Sequence, residues 1–249
     1  MSDMTLSIEH LTERDIAKTI DHSLLKPELD DTFVADGCRL AARYDVASVC
    51  VRPADVVLAR ELLEGTDVAV GTTIGFPHGN HLTATKVFEA QRALADGATE
   101  LDMVLQIGAL KSGRDADVRA DIAAVVEAGH AAGAIVKVIF ENAYLTDDEK
   151  VRACHLTEAA GADFVKTSTG FAPSGATHDD LRLMRANTSP HIQVKAAGGV
   201  RTLDALLEVM ALGVTRIGAT QTATIIDEFR ARKAGRAGAS APSGAEGGY

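Results

Sequence analysis

The chain has 249 residues, 46% of them hydrophobic, and a formal net charge of −10. That acidic balance argues against nucleic acid as a partner, because phosphate backbones are met by basic faces, and no apolar run approaches the roughly 20 residues of a membrane helix. Cys38, Cys50 and Cys154 are odd in number, widely spaced and without a CxxC, which predicts reduced thiols in a soluble cytoplasmic protein rather than a disulfide framework or zinc site.

The opening "MSDMTLSIEHLTERD" lacks the basic start and apolar block of a signal peptide. "LTERDIAKT" reads as a short extra helix with Thr12 as cap, and β-rich runs follow at 18–22, 46–51 and 68–74. In "TATKVFEAQRALADGA", Val87, Ala90, Ala93 and Leu94 form one helical stripe that ends on a glycine stop. A strand at 100–105 comes next, then the helical "RADIAAVVEAGHAAG", a strand at 135–140, and the helical "DEKVRACHLTEAAGA". Strands at 163–168, 192–197 and 215–220 complete eight, with "TLDALLEVMALGV" capped by Thr202 between the last two. Strands alternating with helices predict a parallel sheet, and eight such units in this length predict a single (β/α)8 TIM barrel over 1–233 with an extra N-terminal helix. The competing doubly wound sheet would carry G-x-G-x-x-G after its first strand, and "TIDHSLLKPELD" does not. Residues 234–249 are small, polar and glycine-rich, the composition of a flexible tail.

The C-terminal ends of barrel strands face the active site. Asp102 on the fourth strand, Lys137 on the fifth, Lys166 ending the sixth and Lys195 on the seventh would converge there. A strand lysine can also snorkel to solvent or form a structural ion pair, and for Lys137, alone among large apolar residues, that reading weighs as much. Lys166 and Lys195 occupy equivalent places one unit apart, each followed by small residues and glycine. A neighbouring cation or desolvation lowers a lysine's pKa and frees its lone pair for a Schiff base, so one lysine of this cluster is expected to titrate below its ordinary value, with Asp102 moving protons. The glycine-rich "STGF", "AGGVR" and "RIGATQT" with Arg201 suit a phosphate cradle, although glycines also simply make turns. "HGNH" at 78–81 is weak as a metal site, Cys50 reads as a small buried apolar group, and Glu141 could serve as base in an enolising isomerase.

"TIDHSLLKP", "GTTIGFPHG", "ELDMVLQIGALKSG", "KVIFENAYLTDDEK", "FVKTSTGF" and "VKAAGGVRT" resemble, in order and spacing, the signature segments of the 2-deoxyribose-5-phosphate aldolase family, over about residues 13–226. The resemblance implies a (β/α)8 barrel and metal-free, cofactor-free class I aldol cleavage of 2-deoxy-D-ribose 5-phosphate, a small phosphorylated sugar, in deoxyribose phosphate catabolism. It makes Lys166 the Schiff-base former, Lys195 its perturbing neighbour, Asp102 a proton donor and acceptor, and Lys137 a supporting residue. It places phosphate contacts on Gly170, Gly198, Gly199, Val200, Arg201 and Gly218, and pocket-lining positions on Asp21 and Ser23. Where many members carry serines after the eighth strand, this chain has Thr220, which can still donate, and the bulkier Gln221; Pro173 stands in a loop that is commonly richer in glycine. Some members end in tyrosine on a flexible tail, which implies that Tyr249 assists proton transfer at the acetaldehyde-derived carbon. A homodimer is the usual assembly. The rivals are an isomerase or other sugar-phosphate aldolase on the same fold, and a catalytically silent barrel that binds phosphorylated metabolites.

Overall fold

A computed structural model gives the architecture, and it describes residues 6–235. The strands are β1 (Ile20–Leu24), β2 (Ser48–Val51), β3 (Ala69–Ile74), β4 (Glu100–Val104), β5 (Ile135–Ile139), β6 (Phe164–Lys166), β7 (Gln193–Ala197) and β8 (Val214–Ala219). Each pairs in parallel with the next, and β8 returns to β1 to close the barrel. Around them run α1 (Glu13–Ala17), α2 (Asp31–Arg43), α3 (Val56–Leu63), α4 (Thr83–Asp96), α5 (Ile107–Lys111), α6 (Asp115–Ala131), α7 (Asp147–Ala159), α8 (His178–Ala186), α9 (Leu203–Ala211) and α10 (Thr222–Lys233).

Local sequence explains the boundaries. Thr12 caps α1 in a reciprocal capping box with Asp15, and the Thr202 hydroxyl accepts from the Ala205 N–H at the start of α9. Gly97 ends α4 in the left-handed region at φ 115°, where a side chain would be strained. All eight expected strands are present. The first is displaced, running from residue 20 to 24 rather than 18 to 22, because α1 extends to Ala17 and Lys18 serves as its C-cap.

Alternation along the strands divides the barrel into two layers. Val49, Leu101, Met103, Val136, Val138, Val165, Val194 and Ile217 belong to the buried apolar core. All of these but Val49 adjoin a charged residue in sequence, and these charged groups meet one another inside the barrel. Most TIM barrels fill that interior with branched aliphatic layers. Buried charge is costly unless it is paired, so the departure marks the region where chemistry is to be sought.

Candidate active site

Asp102 is fully buried at mid-strand in β4, in register with Lys137 of β5. Its two oxygens take three lysines. Oδ1 accepts from Lys137 Nζ at 2.8 Å; Oδ2 accepts from Lys166 Nζ and from Lys195 Nζ, each at 2.7 Å. Sharing one oxygen brings Lys166 and Lys195 together, as their direct register across β6 and β7 requires. Lys137 also donates to Glu100 Oε2 at 2.6 Å and lies 3.6 Å from Asp21 Oδ2. Lys195 Nζ is 2.5 Å from that same Asp21 oxygen. Arg216 closes the ring by bonding Glu100 and placing Nε 3.2 Å from Asp21 Oδ1, which also accepts from Ser48 Oγ at 2.8 Å.

The cluster therefore sets four cations, Lys137, Lys166, Lys195 and Arg216, against three carboxylates, Asp21, Glu100 and Asp102. Burial pushes the Asp102 carboxyl up, but the ammonium groups of Lys137, Lys166 and Lys195 outweigh it and hold the group well below the usual carboxylate range. Asp21 is held low in the same way, against its burial, chiefly by Lys195 and Lys137. Burial lowers Lys166, yet Asp102 more than offsets this and leaves Lys166 above its ordinary value. This overturns the expectation of a depressed resting lysine: the carboxylate within hydrogen-bonding distance outweighs the neighbouring ammonium. Lys166 rests protonated, and its proton must leave before it can react.

Two features single it out for that. Lys166 pairs with one carboxylate oxygen only, whereas Lys195 has two partners and Lys137 three. It is also the one lysine of the cluster in the wall of the cleft above, which is formed by Ser23, Ala197, Gly198, Gly199, Val200, Arg201, Gly218, Ala219 and Thr220. Removing one proton would bring the cluster to neutrality, and Lys166 is both the lysine with the fewest carboxylate partners and the one in the cleft wall.

The ends of β7 and β8 and the segments that follow them build most of this cleft, with Ser23 of β1 and Lys166 of β6. Gly198 and Gly199 adopt φ of 78° and 99°, and a Cβ on Gly198 would meet Gly175 Cα at 2.9 Å. Gly175 belongs to the loop after β6, which is pinned there by Ala176 N–H donating to Ala197 O and Gly198 O. Glycine at both positions lets two backbones touch and leaves open space over Lys166. Gly170, at φ 90°, lies outside the cleft wall, and Asp21 lies beneath it in the ion cluster rather than in the pocket. Gln221 turns away, its Oε1 accepting from Thr224 Oγ1 at 3.3 Å, so its bulk does not enter the cleft. Tyr249 lies outside the described residues.

Other sequence candidates resolve simply. Burial pushes the Cys50 thiol up to about 11, as befits a buried apolar group. Among the described residues no group of His, Cys, Asp or Glu could hold a metal ion, which leaves "HGNH" as loop. A larger cavity of about 390 Å³ opens at the opposite end of the barrel beside Arg60, Glu61 and Glu64, without converging reactive groups. Sequence reasoning missed Glu100 and Arg216. Each lies inward, Glu100 two residues from Asp102 and Arg216 in register with Lys195, so alternation was the signal that could have found them.

The sequence pattern of the DeoC/LacD family aldolases matches residues 15–240. A deoxyribose-phosphate aldolase of Rhodopirellula baltica is 50% identical over 216 residues, covering 87% of this chain and 90% of its own. One from Thermococcus gammatolerans is 50% identical over 218 residues, covering 87% and 97%. Among solved structures, the deoxyribose phosphate aldolase of Aeropyrum pernix, described as a unique tetramer, superposes with a TM-score of 0.82 at 30% identity, covering 89% of this chain and 93% of that one.

Proposed function

We propose that this chain, which belongs to the DeoC/LacD aldolase family, reversibly cleaves 2-deoxy-D-ribose 5-phosphate to acetaldehyde and D-glyceraldehyde 3-phosphate through a Schiff base on Lys166. Its relatives at about half identity over most of their length bear the name of that activity. The observation that carries the residue-level reading is the pair of ammonium groups on one oxygen of Asp102, with Lys166 alone reaching the glycine-lined cleft.

Lys166 loses a proton and its Nζ lone pair adds to the aldehyde carbon of the open-chain sugar. The carbinolamine then loses water to give an iminium ion. A base takes the proton of the C3 hydroxyl, the C2–C3 bond breaks, and its electron pair moves to the iminium nitrogen. Glyceraldehyde 3-phosphate leaves and an enamine remains. Protonation at C2 and hydrolysis release acetaldehyde and the free amine. Lys195 and Asp102, on the same hydrogen-bonded path as Lys166, carry the protons, and Lys137 holds Asp102 ionised. Gly198, Gly199, Val200, Arg201, Gly218, Ser23 and Thr220 take the phosphate end, Gly170 stands at the loop beyond Lys166, and Tyr249 serves the C2 proton. No metal or other cofactor takes part in this mechanism.

The isomerase reading needs Glu141 as a free base. Both of its oxygens accept instead from Thr169, through the backbone N–H at 3.2 Å and through the hydroxyl. The proposal extends to a catalytic domain over 1–233, a tail over 234–249, a cytoplasmic location and a homodimer, the last two checked by fractionation and light scattering. No helix among the described residues is long and apolar enough to cross a membrane. Lys166→Ala should abolish cleavage while keeping the affinity for glyceraldehyde 3-phosphate; turnover that survives the substitution would refute the covalent mechanism.

A further inference from the structure

Glu141 stands just past β5, and three features there are unusual together. Its backbone is left-handed at φ 58° and ψ 65°, a conformation that suits glycine and strains any other residue. Its side chain is ionisable yet only 2% exposed. Just past the ends of β5 and β6 the hydrogen bonding is uneven: Phe140 N–H donates to Lys166 O and Asn142 N–H to Thr167 O, both at 3.0 Å. Two steps on the β5 side thus answer one on the β6 side, a bulge-like irregularity with Glu141 as the extra residue, where the chain turns into a short 3-10 helix. Bulges beside active sites serve to re-aim a side chain, and strain kept at a functional site points to a use.

The carboxylate is re-aimed across the sheet onto Thr169. It accepts from Thr169 N–H and Oγ1–H, while Thr169 Oγ1 in turn accepts from Phe171 N–H at 3.0 Å. The Phe171 ring then meets Phe76, from the loop after β3, edge to face with centroids 5.4 Å apart. On its other side the same segment is tied to β7, where Thr167 Oγ1 accepts from Ala197 N–H at 3.0 Å. Glycine would fill the left-handed position without strain, but it would remove both hydrogen bonds to Thr169.

We propose that Glu141 is a positioning residue of the aldolase: its carboxylate fixes the Thr169–Phe171 turn beyond Lys166, and this turn guides the sugar's carbon chain over the amine. The inference rests on the aldolase reading of the site. The turn lies beyond the cleft wall, next to Lys166 in sequence, so on this proposal it acts on the longer deoxyribose 5-phosphate and not on two-carbon acetaldehyde. Loss of the latch should therefore impair sugar cleavage and spare the capture of acetaldehyde.

The test compares wild type with Glu141→Gln, Glu141→Gly, Thr169→Val and Thr169→Ser. It measures steady-state cleavage, borohydride trapping of acetaldehyde on Lys166, and thermal stability. Glu141→Gly relieves the backbone strain, so a folding defect cannot stand in for the predicted effect. Misplacement of reacting groups by a fraction of an ångström to one ångström is expected to lower cleavage by about tenfold or more in Glu141→Gln, Glu141→Gly and Thr169→Val. Trapping should stay at the wild-type rate, and Thr169→Ser, which keeps the hydroxyl, should restore cleavage. Wild-type cleavage in both Glu141 variants would overturn the proposal. So would a parallel fall in cleavage and trapping, which is the mark of a purely structural role. A wild-type protein that neither cleaves the sugar nor traps acetaldehyde would instead remove the aldolase reading itself.

Discussion

The Asp102 oxygen that takes both Lys166 and Lys195 decides how these residues behave. With four cations on three carboxylates, each ammonium group disfavours the next one's proton, and this is the use proposed for Lys195 beside Lys166. Lys195→Leu leaves Asp102 to act on Lys166 with one competitor fewer. Trapping of acetaldehyde on Lys166 should then slow at neutral pH and recover only at a higher pH than in wild type; an unchanged pH profile would deny Lys195 that role. Arg201, in the cleft wall, is assigned to the phosphate. A charge-assisted hydrogen bond contributes about 1.5–3 kcal/mol, so Arg201→Met should raise KM for deoxyribose 5-phosphate by about tenfold to a hundredfold with kcat nearly kept. Kinetics with non-phosphorylated deoxyribose, which should not respond, provide the control.

Strands and loops divide the labour, and two glycines test the division. A Cβ on Gly218 would meet Ala197 Cβ and Ser23 Oγ at 3.5 Å, ordinary contact distances, at a backbone conformation open to alanine. Gly218→Ala should fold normally and raise KM by intruding on the cleft. Gly198→Ala places a side chain at φ 78° against the Gly175 backbone, so it should lose thermal stability as well as affinity. Melting curves beside Michaelis plots separate the two, and equal melting temperatures would contradict the close approach seen here. The cleft wall was legible in part: the glycines after β7 and β8 and Arg201 stand in it, whereas Gly170 after β6 does not. The strands were legible because β and helical periods alternate at a regular spacing. Their depth was not. Asp102, Lys137 and Lys195 lie at mid-strand and only Lys166 lies at a strand end, so reading strand ends alone passed over Glu100 and Arg216. The Glu141 bulge was not legible either, since nothing local in "VIFENAY" calls for a left-handed glutamate.

For the molecule as a whole, the barrel interior doubles as active site and as ionic core, which ties stability to pH. Asp21 and Asp102 titrate below their unfolded value of about 3.9. Their contribution is complete above that pH and is lost as pH falls through the folded values. Lys137 and Lys166 titrate above about 10.4, so theirs is complete below that pH and is lost as pH rises through the folded values. His22 adds an acid-side slope. Burial lowers it from 6.5 to about 4, so the fold, which keeps it neutral, loses stability as pH falls from 6.5 towards 4. Denaturant unfolding across pH should be level from about 7 to about 8.5, decline below 6.5, and decline again above about 8.5, where the buried thiols of Cys38, Cys50 and Cys154, pushed up by burial, ionise only in the unfolded chain; His22→Gln should flatten the acid-side decline. Glu100→Gln removes a buried partner of Lys137 and Arg216 and should cost about 3–5 kcal/mol, and a loss below about 1 kcal/mol would show that water or relaxation compensates. The central claim is narrower than stability: one lysine, at the rim of an over-charged ionic core, is the nucleophile. The most direct measurement is to incubate the protein with acetaldehyde, reduce with borohydride and map the ethylated lysine by peptide mass spectrometry. The adduct is expected on Lys166; an adduct on Lys195, or none on folded protein, would rule out Lys166 as the nucleophile.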